Sequence, residues 1–351
     1  MIFRLQRRPQ IIPQIIKSKV VPIVCAAVFM VVALTSCSGE KSKEPIEESV
    51  FALDTFVTIR IYDQTKQKAL DGAIKMCNDF EDVFSSDKEG AQLYALNHRD
   101  PSEQVVKVSD DLASCIQTAL EYCKKSDGAF DITVQPLRKY WDFKSDDPEL
   151  PRKEDVDKDL AKVDYKKVHV NGNEIHFDSP DTQIDLGAIA KGYIADRLKD
   201  YLEKEGVHSA IINLGGNVLC IGKKPDGSDF TIGLQRPFAD RQETIGAVKV
   251  SDLSVVSSGV YERHFIIDGK NYHHILDPKT GFPYDNGIVQ VSIITKKSVD
   301  ADALSTVCFS LGVDKGIALV NQIPDTYAIY VMDDYSMRYS DGAEKLIQED
   351  R

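Results

Sequence analysis

Strand-like and helical apolar patterns follow one another irregularly along this chain, and this mixture limits the folds open to it. Apolar residues recur at every second position across 51–62, as in a strand with one buried face, and at helical spacing across 66–84. Further strands are predicted at 209–213, 218–221, 230–234, 245–250, 254–257, 262–267, 288–295 and 326–332, and further helices at 109–125, 188–205, 300–311 and 314–322. Because no regular βα alternation exists, we predict an α+β fold with mixed helices and mostly antiparallel strands.

Length and composition exclude several classes of protein. The 351 residues suffice for one large domain or two modest ones, and the 42% hydrophobic and 28% charged residues are ordinary globular values. These values exclude a disordered chain, a collagen and a polytopic membrane protein. Asp and Glu outnumber Lys and Arg by 55 to 43, and the formal net charge of -12 makes nucleic acid a poor candidate partner.

Residues 1–36 have the parts of a bacterial lipoprotein signal peptide. Basic residues without any acid precede an apolar stretch at 20–33, and Leu34-Thr35-Ser36-Cys37 resembles a lipobox. We expect lipid chains such as palmitate on Cys37, a flexible tether at 37–49, and a lipid-anchored protein on the extracytoplasmic side of a cell membrane, at the cell surface or the periplasmic face. The alternative is a transmembrane anchor, for which the apolar stretch is short.

The cysteines predict neither a disulfide framework nor a metal site. Cys25 and Cys37 belong to the N-terminal segment, and no pair among the others has metal-ligand spacing. We expect buried free thiols at the remaining positions, which are Cys77, Cys115, Cys123, Cys220 and Cys308.

Breaks in the periodicity predict the loops. The acidic stretch at 145–159 contains two prolines and lacks an apolar period, so we expect a surface loop there. Asn171-Gly172 predicts the turn of a hairpin at 168–177. A loop rich in His, Asp, Pro and Gly is expected at 269–285, and a frayed tail at 341–351.

The segment at 183–193 suits a ligand that contains phosphate. Asp185 closes a predicted strand, Gly187 follows, and Lys191 lies one turn into a predicted helix. Backbone N–H groups at a helix start attract anions, and a lysine there adds positive charge. The alternative is a capped helix with a solvated lysine, which the pattern alone favours.

A glycine pair follows the apolar strand at 209–213, in the sequence Leu214-Gly215-Gly216-Asn217. Two glycines allow a ligand to approach the backbone closely. The alternative, a tight turn between two strands, is favoured by the spacing.

Two adjacent histidines, His273 and His274, lie in the polar loop before Asp277-Pro278. Neighbouring side chains in an extended chain point in different directions, so one histidine could act as a general base near its ordinary pKa. The alternative is a solvated histidine pair, which the loop by itself slightly favours.

Asp302 and Thr306 lie four residues apart in the helix predicted at 300–311, so they share one helix face. A carboxylate and a hydroxyl suit a hard cation such as Mg²⁺, usually beside substrate phosphates. Helix capping by Asp300 is the alternative, and it leaves Asp302 and Thr306 unexplained.

Aromatic residues at 130–143 include the single tryptophan of the chain, Trp141. Exposed rings could stack on a planar ring system. A core aromatic cluster is the commoner arrangement.

Taken in chain order, these segments resemble the FAD:protein FMN transferase family, the ApbE-type flavin transferases. The matching segments are Asp127-Gly-Ala-Phe-Asp131-Ile-Thr133, Pro136-Leu137, Trp141-Asp-Phe143, Ile184-Asp-Leu-Gly-Ala188-Ile-Ala-Lys191-Gly192-Tyr193-Ile-Ala-Asp196, Asn213-Leu-Gly-Gly216-Asn217, Ser257-Ser258-Gly259-Val-Tyr261-Glu-Arg263, His274-Ile-Leu-Asp277-Pro-Lys-Thr280-Gly281 and Ala301-Asp302-Ala-Leu-Ser-Thr306. Two positions depart from the family pattern. Leu53-Asp54-Thr55 stands where the family often has Met-Gly-Thr, and Asn217 stands where it often has Asp.

The resemblance implies a single flavin transferase domain at 50–340. Such an enzyme splits FAD at its pyrophosphate, places FMN on a Thr or Ser hydroxyl of a target redox flavoprotein outside the cytoplasm, and releases AMP. The implied ligands of Mg²⁺ are the Ala188 carbonyl, Asp302 and Thr306, and the implied general base is His274. The implied FAD contacts are Ala129, Phe130, Asp131, Asp185, Lys191, Ser258 and Leu276.

Two other functions stay open beside transfer. The same Mg²⁺ site could hydrolyse FAD to FMN and AMP with water as the acceptor, and the sequence separates these two reactions poorly. The third hypothesis is a membrane-tethered FAD-binding lipoprotein without turnover, although a pure binder needs no general base. The chain lacks an acceptor-like Asp-x-x-Thr/Ser-Gly-Ala-Thr/Ser stretch, so self-modification is not predicted.

Overall fold

The computed structural model describes residues 44–349. The predicted signal peptide, the lipidation site Cys37 and most of the predicted tether lie outside the described residues. Within residues 44–349, no helix is long and apolar enough to span a bilayer.

Strands and helices are interleaved along the described chain. The strands are β1 (Ile46–Ala52), β2 (Thr55–Ile61), β3 (Val105–Lys107), β4 (Val168–Asn171), β5 (Glu174–Phe177), β6 (Ser209–Leu214), β7 (Asn217–Gly222), β8 (Phe230–Gln235), β9 (Thr244–Val250), β10 (Ser254–Gly259), β11 (His264–Ile267), β12 (Lys270–His273), β13 (Ile288–Thr295), β14 (Tyr327–Met332), β15 (Met337–Tyr339) and β16 (Ile347–Glu349). The α-helices are α1 (Gln67–Phe84), α2 (Gln92–Asn97), α3 (Asp110–Lys125), α4 (Lys153–Leu160), α5 (Ala190–Lys204), α6 (Ser298–Leu311) and α7 (Val313–Val320). Short 3₁₀ helices lie at Ile132–Tyr140, Tyr165–Lys167 and Ala343–Lys345.

An eight-stranded sheet in the order β1-β2-β6-β7-β10-β13-β14-β15 forms the centre of the fold. Smaller sheets have the orders β16-β9-β8, β3-β5-β4 and β11-β12, and every paired strand among the described residues is antiparallel. All eight residues of β13 are buried. Helix α6 packs on β10 and β13, and α5 packs on α6. The predicted α+β fold with antiparallel strands is therefore confirmed.

The strand predicted at 51–62 is a hairpin instead of one strand. Strands β1 and β2 pair across a turn at Leu53 and Asp54, whose φ angles are 57° and 55°. A two-residue hairpin turn of this kind needs positive φ at both central residues, which Asp tolerates and Leu rarely adopts. Leu53 packs against the core, so its packing supports a conformation that no local signal predicts.

Four predictions of irregular structure, two for loops, one for the tether and one for the tail, are wrong in part. Helix α4 occupies the end of the loop predicted at 145–159, and β12 lies inside the loop predicted at 269–285. Residues Ile46–Ala52 form β1 although 46–49 were assigned to the tether, and Ile347–Glu349 pair with β9 although the tail was expected to fray. Pairing with distant strands orders the short strands, and α4 buries only Val156 and Asp159, too few residues to show a helical period.

The glycine pair makes a tight turn, as the spacing favoured. Gly215 and Gly216 have φ angles of 62° and 94° and connect β6 to β7. A Cβ on Gly215 would lie 2.1 Å from Thr55 Oγ1. Only glycine therefore lets the first hairpin approach this turn so closely.

The prediction about the cysteines is confirmed for the described residues. The five cysteines there are free and buried, and they are Cys77, Cys115, Cys123, Cys220 and Cys308. Burial raises the pKa of the Cys77, Cys220 and Cys308 thiols to about 12. They are core side chains rather than nucleophiles.

Candidate active site

The candidate site is built where α5 crosses α6 at Gly192. A Cβ there would lie 2.2 Å from the Ser298 carbonyl oxygen and 2.7 Å from Asp302 Cβ, so only glycine permits this approach. The Gly192 N–H donates to Asp302 Oδ2 at 2.8 Å. Asp302 is 4% exposed, and burial raises its pKa, while the Lys191 charge and the Gly192 N–H act in the opposite direction. The crossing thus holds the Asp302 carboxylate in the protein interior, within the influence of the positively charged Lys191 side chain.

The Ala188 carbonyl lies just before the start of α5. The helix begins at Ala190, and the Tyr193 N–H donates to the Ile189 carbonyl, so the Gly192 N–H lies in the first turn, where the helix itself offers it no acceptor. It donates to Asp302 instead, and within residues 44–349 no donor reaches the Ala188 oxygen. The start of α5 therefore offers a free carbonyl at Ala188 and a first-turn N–H at Gly192 that holds the buried Asp302 carboxylate.

Thr306 lies on the same face of α6 as Asp302, as its spacing predicted. Its Oγ1 is 3.3 Å from Ser258 Oγ on β10, and Ser258 Oγ is 2.7 Å from Ser305 Oγ. The structure therefore brings Ser258 to Thr306, one of the two side chains predicted to bind the metal. Among residues 44–349, no group of three or more His, Cys, Asp or Glu is placed to hold a metal. A cation here would depend on one carboxylate and neutral oxygen atoms.

Two contacts differ from the capping proposed for Asp300. Helix α6 begins at Ser298, and the Asp300 carboxylate accepts from the Tyr122 hydroxyl at 2.8 Å. The cap comes from α5, because the Asp196 carboxylate accepts from the N–H groups of Ser298 and Val299 at 2.8 and 2.9 Å. Sequence reasoning missed this role, since a cap from another helix has no fixed spacing.

Asn217 is buried next to the start of helix α6, which carries the predicted metal ligands Asp302 and Thr306. Its Oδ1 accepts from Ser298 Oγ at 2.8 Å. Its Nδ2 makes no hydrogen bond of normal geometry in the described structure, although Asn217 helps to lower the pKa of Asp302. A buried, unpaired N–H donor is costly unless a ligand oxygen or water satisfies it.

Asp185 is held on both of its carboxylate oxygens. Oδ1 accepts from the Gly187 N–H at 2.7 Å, and Oδ2 forms an ion pair with Arg138 at 3.2 Å. The Asp185 charge raises the pKa of Arg138, which also donates to Ser86 Oγ at 2.7 Å. Sequence reasoning missed Arg138, because no local pattern links residues so far apart in the chain.

Lys191 points back along its own helix start. Its Nζ donates to the Gly187 carbonyl at 3.2 Å, and its charge acts on both Asp302 and His274. Its charge therefore influences both the predicted metal ligand and the predicted base.

The two adjacent histidines have different surroundings, as an extended chain predicts. His273 is 4% exposed, donates from Nε2 to the Tyr284 carbonyl at 2.9 Å, and has a pKa lowered to about 4 by burial. His274 reaches solvent. This difference favours His274 as the histidine that can meet a substrate.

His274 sits against the chain segment that leads into β11. Its Nδ1 is 3.4 Å from the Arg263 carbonyl, which can only accept, so a proton on Nδ1 leaves Nε2 free to take another. Its pKa is lowered, first because the surrounding protein partly desolvates the charged ring and then because nearby positive charge, including that of Arg263 and Lys191, opposes protonation. The ring is neutral at physiological pH, which is the form a base needs.

The β1–β2 turn reaches the same segment. Asp54 Oδ2 accepts from Arg263 at 2.9 Å, and its Oδ1 is 3.4 Å from Lys144 Nζ. Asp54, which stands where the family often has Gly, therefore ties the first hairpin to the residue that contacts His274.

The predicted FAD-contacting residues at 129–131 already make hydrogen bonds or core contacts with other parts of the protein. The Ala129 carbonyl accepts from the Tyr284 hydroxyl at 2.9 Å, and Phe130 is a core residue. Both carboxylate oxygens of Asp131 cap backbone groups, with Thr133 N–H at 2.7 Å and Tyr165 N–H at 2.9 Å. Their contact with FAD stays a prediction.

Leu276 lies on the neighbouring loop and forms an isolated bridge with Pro283. Tyr284, which bonds to Ala129, also donates its N–H to the Ile275 carbonyl at 3.1 Å. The two predicted flavin-contacting loops are thus joined through one tyrosine.

Trp141 is itself buried, but it lies in an aromatic cluster outside the main core whose other rings are partly exposed. It is 4% exposed and its Nε1 donates to the Gly281 carbonyl at 3.0 Å. Ring centroids lie within 6.4 Å of it at Phe143, Phe265, Tyr272 and Phe282. The cluster supports the loop that carries Leu276.

Comparison with known proteins decides the family. Residues 53–331 match the model of the ApbE family. The chain belongs to the ApbE family. An FAD:protein FMN transferase of Klebsiella pneumoniae (strain 342) is 40% identical over 254 residues, which cover 72% of this chain and 78% of that protein. An FAD:protein FMN transferase of Treponema pallidum (strain Nichols) is 33% identical over 327 residues, covering 88% and 90%.

Solved structures of ApbE proteins share the fold. The ApbE protein of Thermotoga maritima superposes with a TM-score of 0.78 at 29% identity and covers 87% of this chain and 100% of its own. The flavin transferase ApbE of Vibrio cholerae superposes with a TM-score of 0.76 at 25% identity, covering 86% and 99%. The resemblance seen in the sequence motifs is therefore confirmed for the family and the fold.

Proposed function

We propose that this ApbE-family chain transfers the FMN part of FAD to a Thr or Ser hydroxyl of a target protein and releases AMP. Relatives named FAD:protein FMN transferase support this reaction. The observation that carries it is the bond from the Gly192 N–H to Asp302, which holds a buried carboxylate at the start of α5, where Lys191 supplies a positive charge and the Ala188 carbonyl accepts no hydrogen bond from the described residues. A pyrophosphate with its divalent cation suits this combination, because the carboxylate and carbonyl oxygens can bind the cation and the lysine can attract the phosphates.

The residues around Gly192 fit Mg²⁺. Asp302, the Ala188 carbonyl and Thr306 offer three oxygen atoms, and Mg²⁺ prefers oxygen ligands and keeps part of its coordination for water and substrate phosphate. Bound cation would stabilise the charged form of Asp302, which burial disfavours. When bound, Mg²⁺ would neutralise charge that develops on the pyrophosphate.

The chain's own residues would bind FAD and move one proton. Lys191 would attract the pyrophosphate, and Asp185, held by Arg138, would contact FAD from the opposite side of the helix start. Nε2 of His274 would take the proton of the acceptor hydroxyl as its oxygen attacks the phosphorus of the FMN half. The P–O bond to AMP breaks, and AMP leaves with the bridging oxygen.

The test is AMP release from FAD with Mg²⁺, measured with and without a candidate acceptor domain whose mass is followed. An acceptor heavier by one FMN, together with AMP, would establish transfer. AMP with an unchanged acceptor in every candidate tried would indicate FAD hydrolysis. FAD binding without AMP would indicate a binding lipoprotein and refute the proposal.

His274→Ala separates catalysis from binding. We expect transfer to fall by about 100-fold or more, with FAD affinity changed far less, because the base acts on the acceptor rather than on FAD. His208→Ala removes another exposed histidine and serves as the control. FAD affinity that falls in step with transfer would argue against His274 as the base.

We further propose that Cys37 carries lipid and that the domain acts outside the cytoplasm on membrane-associated redox proteins. The lipobox-like sequence supports this, as does the position of β1, which begins only nine residues after Cys37. Cys37→Ser should move the protein from the membrane fraction to the soluble fraction of its host. An unchanged membrane fraction would contradict lipid anchoring at Cys37.

A further inference from the structure

We infer that the acceptor protein docks in a cleft between the β8–β9 loop and the start of β11, an inference that rests on the proposed function. The cleft has a volume of about 340 Å³. One wall carries Phe238, Ala239 and Arg241, and the other carries Tyr261, Glu262 and His264.

The cleft is linked to the candidate active site by one short segment of the chain. Segment 258–264 begins at Ser258, whose hydroxyl is 3.3 Å from Thr306, and ends at His264 in the cleft wall. Between them, the Arg263 carbonyl accepts the His274 N–H at 3.1 Å. When an acceptor hydroxyl lies at His274, the rest of the acceptor protein must cover the enzyme surface around that residue. The cleft offers a concave surface for that protein, and its wall begins at His264, one residue beyond Arg263.

Phe238 is held in the cleft in a costly conformation. Its φ is 60°, which a bulky side chain rarely adopts, and it is 48% exposed. Its ring meets Tyr261 and His264 edge-on, with centroids 6.0 and 5.5 Å apart. The loop is braced at the preceding residue, whose carbonyl accepts from the Tyr335 hydroxyl at 3.2 Å. Strain that is supported in this way is typical of functional positions.

The chemistry of the cleft fits a protein segment. Exposed aromatic rings supply most of the binding energy at many protein interfaces, and polar groups surround them. Here Phe238 and Tyr261 form the aromatic part, and Arg241 and Glu262 form a charged rim. The two charges are 4.0 Å apart and largely solvated, so each is available to a partner. The cleft therefore fits an apolar side chain flanked by polar or charged residues on the acceptor.

The experiment measures the initial rate of FMN transfer against the concentration of an acceptor domain that the wild-type chain makes heavier by one FMN. Phe238→Gly removes the ring and keeps a backbone that tolerates positive φ. Arg241→Ala, at an exposed side chain, is a second variant that needs no change in the core. Leu150→Ala removes an exposed apolar side chain outside the cleft and is the control.

We expect the acceptor KM to rise by about tenfold or more in Phe238→Gly, and less in Arg241→Ala. The FAD KM should stay within about twofold of wild type, and Leu150→Ala should change neither constant. An unchanged acceptor KM in both cleft variants would overturn the inference. A rise in the FAD KM instead would assign the cleft to the nucleotide and overturn it too. A wild-type chain that modifies no acceptor would refute the proposed function, and this inference with it.

Discussion

Replacing Gly192 by Ala tests whether the α5–α6 crossing builds the site. The new Cβ would lie 2.2 Å from the Ser298 carbonyl oxygen, so the helices must separate by about 1 Å. Overpacking of this kind costs about 1–3 kcal/mol, and alanine in a helix gains about 1 kcal/mol over glycine. Because the clash is with backbone, no side-chain rotation relieves it. We expect the free energy of unfolding to fall by up to about 2 kcal/mol, which is the overpacking cost less the gain in helix propensity.

Activity should fall further than stability. Separation of the helices lengthens the 2.8 Å bond from Gly192 to Asp302, and a hydrogen bond to a charged group contributes about 1.5–3 kcal/mol. We therefore expect AMP release from FAD to fall about tenfold or more under conditions in which the variant is folded. Urea denaturation followed by circular dichroism and chromatographic measurement of AMP give the two quantities.

Gly72→Ala is the matched control for this variant. Gly72 is also a helical glycine, and its new Cβ would meet the Tyr201 hydroxyl at 1.9 Å. Only the end of the Tyr201 side chain is displaced there, so a change in its χ1 angle can move the ring away. The helix also gains propensity, because alanine replaces glycine. We expect wild-type activity and a stability within about 1 kcal/mol of wild type. A Gly192→Ala variant that matched Gly72→Ala in both measurements would refute the reasoning.

Three further changes test other parts of the site. Asp302→Asn should reduce AMP release by about 100-fold or more and abolish its dependence on Mg²⁺, whereas full activity would exclude Asp302 as a ligand. Asp196→Ala should lower the free energy of unfolding by about 1–2 kcal/mol, because the N–H groups of Ser298 and Val299 lose their acceptor; an unchanged urea midpoint would exclude this cap. His273 has a folded pKa of about 4 against about 6.5 when unfolded, so the unfolded chain binds the extra proton between these values. Stability should therefore fall by up to about 3 kcal/mol as pH drops from 6.5 to 4, and His273→Gln should lack this part of the decline; equal slopes in both proteins would contradict it.

The helices with clear apolar stripes were predictable from local spacing. In α1 the buried residues recur every three or four positions, and the N-cap of α3 is Ser109, whose Oγ accepts from the Leu112 N–H at 3.3 Å. Asp302 and Thr306 were brought to one face for the same reason, since i and i+4 always share a helix face. Local geometry is enough for these features because every atom involved lies within one or two turns.

Contacts between distant segments were not predictable. The Arg138–Asp185 ion pair, the Asp196 cap and the Asp54–Arg263 ion pair join residues that lie tens or hundreds of positions apart. Strand β16 has only three residues, and its order comes from pairing with β9. A short segment of this kind does not bury enough apolar surface to show a pattern of its own.

The amino-acid sequence alone determined the family, the α+β class and the identities of the residues proposed for chemistry, because motif order and i, i+4 spacing are properties of the chain itself. The tertiary structure decided which of them are available. It buried His273 and left His274 in contact with solvent, paired the first-turn Gly192 N–H with Asp302 on another helix, and placed the Phe238 cleft beside Arg263. Burial, hydrogen-bond choice and cleft shape arise only when remote segments pack together, so no local pattern in the sequence contains them.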